Sequence, residues 1–161
     1  MGLASTSFDS PVGRLTLVAG DRGLVAVLWP DDRPGRVPLE TVTDTAHHPV
    51  LVQTASELDA YFAGRRTVFS VPLDFRGTAF QKAVWAALLT IPFGERRTYG
   101  QIADQLGQPT ASRAVGAANG RNPISIIAPC HRVVGAQGQL TGFAGGLSAK
   151  AFLLDHEAGQ A

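Results

Sequence analysis

The chain has 161 residues, 45% of them hydrophobic and 17% charged, with a formal net charge of +1. That length suits one compact unit or two small lobes, and no apolar run approaches transmembrane length. A single cysteine excludes an intrachain disulfide and any multi-cysteine zinc site, and Met1-Gly2-Leu3-Ala4-Ser5 lacks the basic-then-apolar order of a secretory leader, so a reducing cytoplasm is expected.

Ser5–Phe8, Arg14–Ala19 and Leu24–Trp29 read as strands. Ser10-Pro11-Val12-Gly13 and Gly20-Asp21-Arg22-Gly23 form the turns between them, giving an antiparallel meander. The third strand is apolar enough to be buried on both faces. Asp31 to Pro38 is a polar, proline-containing loop and is expected to be mobile. His47 and His48 precede a helix that Pro49 opens and Gly64 closes, with Val50, Leu51, Leu58, Tyr61 and Phe62 along it. With no cysteine or clustered carboxylate nearby, the two histidines read as helix-start residues rather than metal ligands. Thr67 to Leu73 reads as a further strand.

Arg76-Gly77 marks a boundary, dividing the chain into residues 1–75 and 76–161. The first part holds six bases against nine acids, a balance of −3; the second holds eight against four, a balance of +4. A basic half beside an acidic half hints at a nucleic-acid surface, although ordinary solvated faces would explain so modest an excess.

Thr78-Ala79-Phe80-Gln81 is a capping box. The helix it opens aligns Phe80, Val84, Leu88 and Ile91, and Pro92 ends it. A second capping box, Thr98-Tyr99-Gly100-Gln101, starts a short helix with Ile102, Ala103 and Leu106 inward and Gly107 as its stop. After Gln108-Pro109, Thr110 begins another helix, Ala111 to Asn119, closed by Gly120. The pair reads as a helix-turn-helix. Its second member is built from small residues, Ala111, Ala114, Gly116, Ala117 and Ala118. Close helix packing would explain them, and so would approach to a narrow DNA groove. Gly135 to Gly138 reads as a hairpin turn, and 141–146 as a flexible glycine-rich loop without the lysine of a phosphate loop. Ser148 is expected to cap a last helix that buries Phe152 and Leu153 and carries Glu157 near its end.

The only cysteine, Cys130, lies in Ile127-Ala128-Pro129-Cys130-His131-Arg132-Val133-Val134. A lone cysteine is most often a small buried hydrophobe. An inert one has no need of histidine and arginine directly after it, so Cys130 reads as a nucleophile with His131 as its base.

That octapeptide, with Asn122-Pro123 before it, resembles the active-site signature of the O6-alkylguanine-DNA alkyltransferases, the methylated-DNA–protein-cysteine methyltransferases of bacterial type. The resemblance is strong from Phe80 to Glu157 and weaker before that, where Phe8 to Gly13 is similar to the N-terminal lobe of bacterial members. It implies an α+β protein: an N-terminal ribonuclease-H-like antiparallel sheet with a helix as scaffold, then a mostly helical, winged helix-turn-helix-like domain for DNA binding and alkyl transfer. Some members hold zinc in the first lobe; this chain lacks the cysteines, so no metal and no cofactor are expected.

The same resemblance implies direct-reversal DNA repair. Cys130 would take the alkyl group from O6-alkylguanine, and also from O4-alkylthymine, once and irreversibly. Glu157 would orient His131 in a Cys-His-Glu arrangement, with a water between Cys130 and His131. Tyr99 would contact the flipped base and supply a proton, and Asn122 would tie the recognition helix to the active-site loop. Carbonyls of Cys130 and Val133 would accept from the exocyclic amine, the Ala144 amide would meet the alkylated oxygen, and Phe143 would pack on the base. Arg113 would enter the base stack, with Thr98, Ser112, Ala114 and Ala117 also at the DNA. Common relatives often carry Tyr at position 143 and Ser or Arg at 144, which bears on substrate preference. The expected partner is double-stranded DNA bearing alkylated guanine, bound by a monomer that could cluster cooperatively, with no membrane involved. Two rivals stand beside this reading: a lesion-binding protein without chemistry, against which Cys130 argues, and a turnover hydrolase, which would need an oxyanion hole and a distant histidine, with only His156 available.

Overall fold

A computed structural model describes residues 2–40, 42–45 and 47–160, without the side chain of Gln160. The chain divides into two compact units, 1–76 and 77–161.

The first unit is built on strands β1 (Leu3–Ser10), β2 (Gly13–Gly20), β3 (Gly23–Leu28) and β4 (Val42–Asp44). Their order is β3-β2-β1-β4, antiparallel except that β4 runs parallel to β1. The three-strand meander read from the sequence is therefore present, and β4 is an addition. All three β4 residues are exposed, so no alternation of buried and open side chains announces the strand. Helix α1 (Pro49–Phe62) packs against β1, β2 and β3 through a buried face that includes Leu51, Leu58 and Tyr61. His48 is its N-cap, with Nδ1 accepting from the Val50 amide at 3.2 Å.

Two expectations for this unit are corrected. The 31–38 segment is pinned: Arg36 is buried and forks onto Asp32 at 2.6 and 2.7 Å, and Asp32 also accepts the Trp29 amide at 3.2 Å. Val37 and Leu39 then pack against Leu3, Val18, Val25 and Ala26 of the sheet. Thr67 to Leu73 forms no strand beyond a single bridge between Leu73 and Leu24. The amides of Ser70 and Val71 go instead to the buried carboxylate of Glu57, at 2.9 and 3.2 Å. A side chain thus takes the donors that a neighbouring strand would have used. The segment reaches β3 where Gly23 lies: a Cβ there would stand 2.6 Å from the Pro72 carbonyl oxygen.

The second unit holds α2 (Ala79–Leu88), β5 (Arg97–Thr98), α3 (Tyr99–Gln105), α4 (Ser112–Gly120), a 3-10 turn (Cys130–Arg132), β6 (Val133–Val134) and α5 (Leu147–Gln160). Both expected capping boxes form, with reciprocal bonds between Thr78 and Gln81 and between Thr98 and Gln101. α2 ends at Leu88, and Ile91 is buried in the turn beyond it. Trp85 is fully packed and donates to the Ala118 carbonyl at 2.9 Å, tying α2 to α4. Gly77 is needed beside that indole, since a Cβ would lie 2.6 Å from the ring.

Four further expectations change here. α4 starts at Ser112 with Ala111 as an N-cap that makes no side-chain bond, and Gly120 is its last residue rather than its stop. Residues 135–138 do turn, with the Gly138 amide donating to Gly135 at 2.9 Å, but no hairpin forms because β6 pairs in parallel with β5. Ser148 lies inside α5, which begins at Leu147. Phe152 is 39% exposed, while Leu153 is fully buried; the α5 stripe that faces inward runs 150, 153, 154 and 157.

Candidate active site

The path to Cys130 is set by a short, constrained loop. Asn122, fully buried, donates Nδ2 to the Ala128 carbonyl at 2.8 Å and accepts the Ile124 amide on Oδ1 at 3.0 Å. One side chain therefore clamps both ends of 124–128. Between them Ile126 sits at φ 74°, a conformation that costs a β-branched residue on the order of 1–3 kcal/mol. Pro129 follows at φ −80°, ψ 66°, an inverse γ-turn closed by the Cys130 amide on the Ala128 carbonyl at 2.7 Å. The chain then enters the 3-10 turn, and β6 pairs with β5. Because β5 ends in the N-cap of α3, this pairing brings the cysteine turn and Tyr99 to the same corner.

Cys130 is 3% exposed, His131 fully buried and Glu157 1% exposed. His131 Nε2 meets Glu157 Oε2 at 2.7 Å. Arg132 closes on the same carboxylate, Nε to Oε1 at 2.7 Å and Nη2 to Oε2 at 3.0 Å, while Nη1 donates to the Ile91 carbonyl at 2.6 Å. Its guanidinium also stands 5.7 Å from the Phe93 ring centroid. Burial pushes the Glu157 carboxyl up, but hydrogen bonds and charge from His131 and Arg132 outweigh it and hold it far below the usual carboxylate range. Burial pushes the His131 imidazole down; Glu157 pulls it up, Arg132 and Lys150 push it down, and the net shift is downward. The ring is thus neutral at neutral pH, with Nε2 facing an ionised carboxylate. His131 Nδ1 is buried and has no hydrogen-bond partner among the described residues.

Lys150 supplies the site's second cation. It is fully buried, donating Nζ to the carbonyls of Val133 at 2.7 Å and Thr141 at 3.0 Å. Burial lowers its pKa, and the charge of Cys130 opposes that shift. Tyr99 OH and Thr141 Oγ1 are 2.7 Å apart, so the 141–146 segment is linked to both α3 and α5. Phe143 and Ala144 are half-buried on that segment, with Lys150 Nζ 5.9 Å from the Phe143 ring centroid.

Among the expected site residues, Cys130, His131, Glu157, Asn122 and Val133 are gathered around the turn. The Val133 carbonyl already serves Lys150, and the Cys130 carbonyl accepts the Val133 amide and Asn119 Nδ2, the latter at 3.4 Å. Arg113, Ala114 and Ala117 are exposed on α4, Ser112 half-buried. The Thr98 oxygen is occupied as the α3 cap. The sequence shows Arg132 only as a positive neighbour of Cys130, not its fork onto Glu157, and Lys150 and Thr141 were missed as parts of the site. No group of three His, Cys, Asp or Glu among the described residues could hold a metal, and no helix among them is long and apolar enough to cross a membrane.

Two family profiles cover this chain. "6-O-methylguanine DNA methyltransferase, DNA binding domain" matches residues 79–159, and "6-O-methylguanine DNA methyltransferase, ribonuclease-like domain" matches residues 3–75. The chain belongs to this family. Methylated-DNA--protein-cysteine methyltransferase of Mycobacterium leprae is 49% identical over 94% of this chain and 90% of its own length. The protein of the same name from Methanosarcina acetivorans is 50% identical over 93% and 95%. The crystal structure of Mycobacterium tuberculosis OGT in complex with DNA aligns with a TM-score of 0.84 at 48% identity, covering all of this chain and 95% of that one. The α+β architecture, an antiparallel-dominated sheet unit followed by a helical unit, is thus that of a 6-O-methylguanine DNA methyltransferase.

Proposed function

We propose that this chain repairs DNA by direct reversal, moving an alkyl group from O6 of guanine, and from O4 of thymine, onto Cys130. The observation that carries this reading is the buried 2.7 Å contact between His131, on the turn of the only cysteine, and Glu157 of α5. Relatives named methylated-DNA--protein-cysteine methyltransferase and a DNA complex of a near relative support the substrate class.

His131 Nδ1, directly or through a water, accepts the thiol proton. The sulfur lone pair forms the bond to the alkyl carbon as the carbon–oxygen bond breaks toward the base. The departing base is reprotonated, with the Tyr99 hydroxyl as the near donor, and the proton held on His131 balances the account. The product is a thioether with neither a resolving cysteine nor a leaving tendency, so each molecule acts once. Asn122 holds the strained loop that aims Cys130, while Phe143, the Ala144 amide and the Val133 carbonyl line the position of the flipped base.

α4 is the element that meets the duplex. Ala114 and Ala117 are exposed, so helix packing does not account for their small size, whereas entry into a narrow groove does. Arg113 stands exposed beside them, and in this reading it fills the gap left by an everted nucleotide. The first-turn amides of α4, which no side chain caps, suit a backbone phosphate, with Ser112 as the first residue of that turn; Thr98, the N-cap of α3, would meet the DNA from the neighbouring helix. The protein works as a monomer in the reducing cytoplasm, where cooperative clustering on DNA is open to it, and the reaction calls for no cofactor.

Mass spectrometry after incubation with an O6-methylguanine duplex tests the reading. The expected result is one methyl per molecule on the Cys130 peptide, absent in Cys130→Ser. Binding without mass gain would instead indicate a lesion-recognition protein, and many turnovers per molecule a hydrolase.

A further inference from the structure

The Glu157 carboxylate is shared between two residues that the sequence places side by side. His131 takes part of Oε2, while Arg132 takes Oε1 and the rest of Oε2 at 2.7 and 3.0 Å. The guanidinium is held from its other side by the Ile91 carbonyl at 2.6 Å and covered by the Phe93 ring. All three side chains are buried. Such a fork is expensive to bury and needs a reason.

We infer that Arg132 is a positioning residue for alkyl transfer: by forking onto Glu157 it neutralises that carboxylate and fixes the His131 tautomer with its proton on Nε2, leaving Nδ1 bare to receive the thiol proton. This rests on the proposed transfer to Cys130. A guanidinium does not release its proton, so the carboxylate it pairs with stays ionised and can only accept. Nε2, 2.7 Å from that carboxylate, must therefore donate. In a neutral ring the other nitrogen is then the acceptor, and it is Nδ1 that lacks a partner among the described residues.

The fork also sets the charge. The charged groups acting on His131 are Glu157 and Lys150 from α5 and Arg132 from its own turn. With Arg132 present, Glu157 and Arg132 cancel, and burial keeps the ring neutral. Without it, a lone buried carboxylate would face the imidazole and draw a proton onto it, and a protonated ring cannot take the thiol proton. Lysine in the same place would keep the charge but could not hold both oxygens at once.

The test combines single-turnover rates of alkyl transfer across pH for the parent chain, Arg132→Met and Arg132→Lys with 15N spectra of the His131 ring. The parent ring should be neutral and protonated on Nε2 at pH 7. In Arg132→Met the ring should hold its proton to higher pH than in the parent, and the acid limb of the rate profile should move upward with it by about one pH unit, a loss on the order of tenfold in rate on that limb. Arg132→Lys should fall between the two. A parent ring protonated on Nδ1, or a folded Arg132→Met whose ring spectrum and acid limb match the parent's, overturns the inference. Should Arg132→Met not fold, Arg132→Lys carries the test: a ring spectrum and acid limb that match the parent's overturn the inference. A parent that transfers no alkyl group refutes the proposed function and leaves the tautomer measurement standing on its own.

Discussion

A lysine with no exposure must replace the water it has lost. Lys150 does so with two carbonyls, Val133 and Thr141, one in β6 directly after the cysteine turn and one on the segment that meets Tyr99. A charge on Cys130 raises the Lys150 pKa against burial, so a thiolate, once formed, would be favoured by this ammonium. Lys150→Met keeps the apolar stem and removes the donors. It should cost about 1–3 kcal/mol, the penalty for leaving buried acceptors unserved, read from urea unfolding. It should also slow transfer at pH 7 more than at pH 9, because a free thiol ionises near ~8.5 and high pH supplies the thiolate without the lysine. An equal loss at both pH values would mean that Lys150 acts on packing alone. Cys130 and His131 were legible because the peptide around them has a specific signature. Glu157 was reached through the same resemblance, but Lys150 carried a signal that went unread: with Leu153, Leu154 and Glu157 it falls at i, i+3, i+4 and i+7, so two charges sit on the buried stripe of α5. Charges on such a stripe must be paired.

At the scale of elements, the legible features were those whose chemistry is local. Both capping boxes are complete within four residues, and both form as read. β5 and β6 are two residues each and exist only because they pair with one another, so no window of sequence contains either. Residues 67–73 have strand composition, yet Glu57, thirteen residues upstream of Ser70, takes their amides, and Val68 is left 70% exposed. Tertiary partners decided both cases. The α3 cap has a consequence for the site, since Thr98 both ends β5 and fixes the start of the helix that carries Tyr99. Thr98→Ala should destabilise the second unit by about 1 kcal/mol. It should also speed exchange of the Gln101 amide, which the Thr98 oxygen now accepts at 3.1 Å. Thr98→Ser should restore both. Unchanged exchange in the alanine variant would show that the cap bond does not hold in solution.

The shifted carboxylates and the buried imidazole point one way with pH. In the first unit burial raises the Glu57 and Asp32 carboxyls. Hydrogen bonds from Gln53, Ser70 and Val71 to Glu57, and from Arg36 and Trp29 to Asp32, more than reverse that, so both lie below their ordinary 4.5 and 3.8. In the second unit Glu157 is lowered in the same sense, and burial takes His131 below its ordinary 6.5. Each of these groups binds a proton more readily in the unfolded chain than in the fold. Stability therefore rises with pH wherever one of them titrates and is lost on acidification. The histidine contribution goes first, as pH falls through about 6.5, and the carboxylates follow below about 4.5. Each unit holds one buried tryptophan, Trp29 in the first and Trp85 in the second, which gives each a fluorescence probe. The urea midpoint followed through Trp85 should fall between pH 7.5 and 5, then fall more steeply below 4.5. His131→Gln should flatten the first step and leave the second. Glu57→Gln should do the reverse for the Trp29 signal, weakening only the acid step. A Trp85 midpoint that rose as pH dropped from 7 to 5 would mean that His131 is charged in the folded protein, and the neutral imidazole on which the transfer chemistry depends would be wrong.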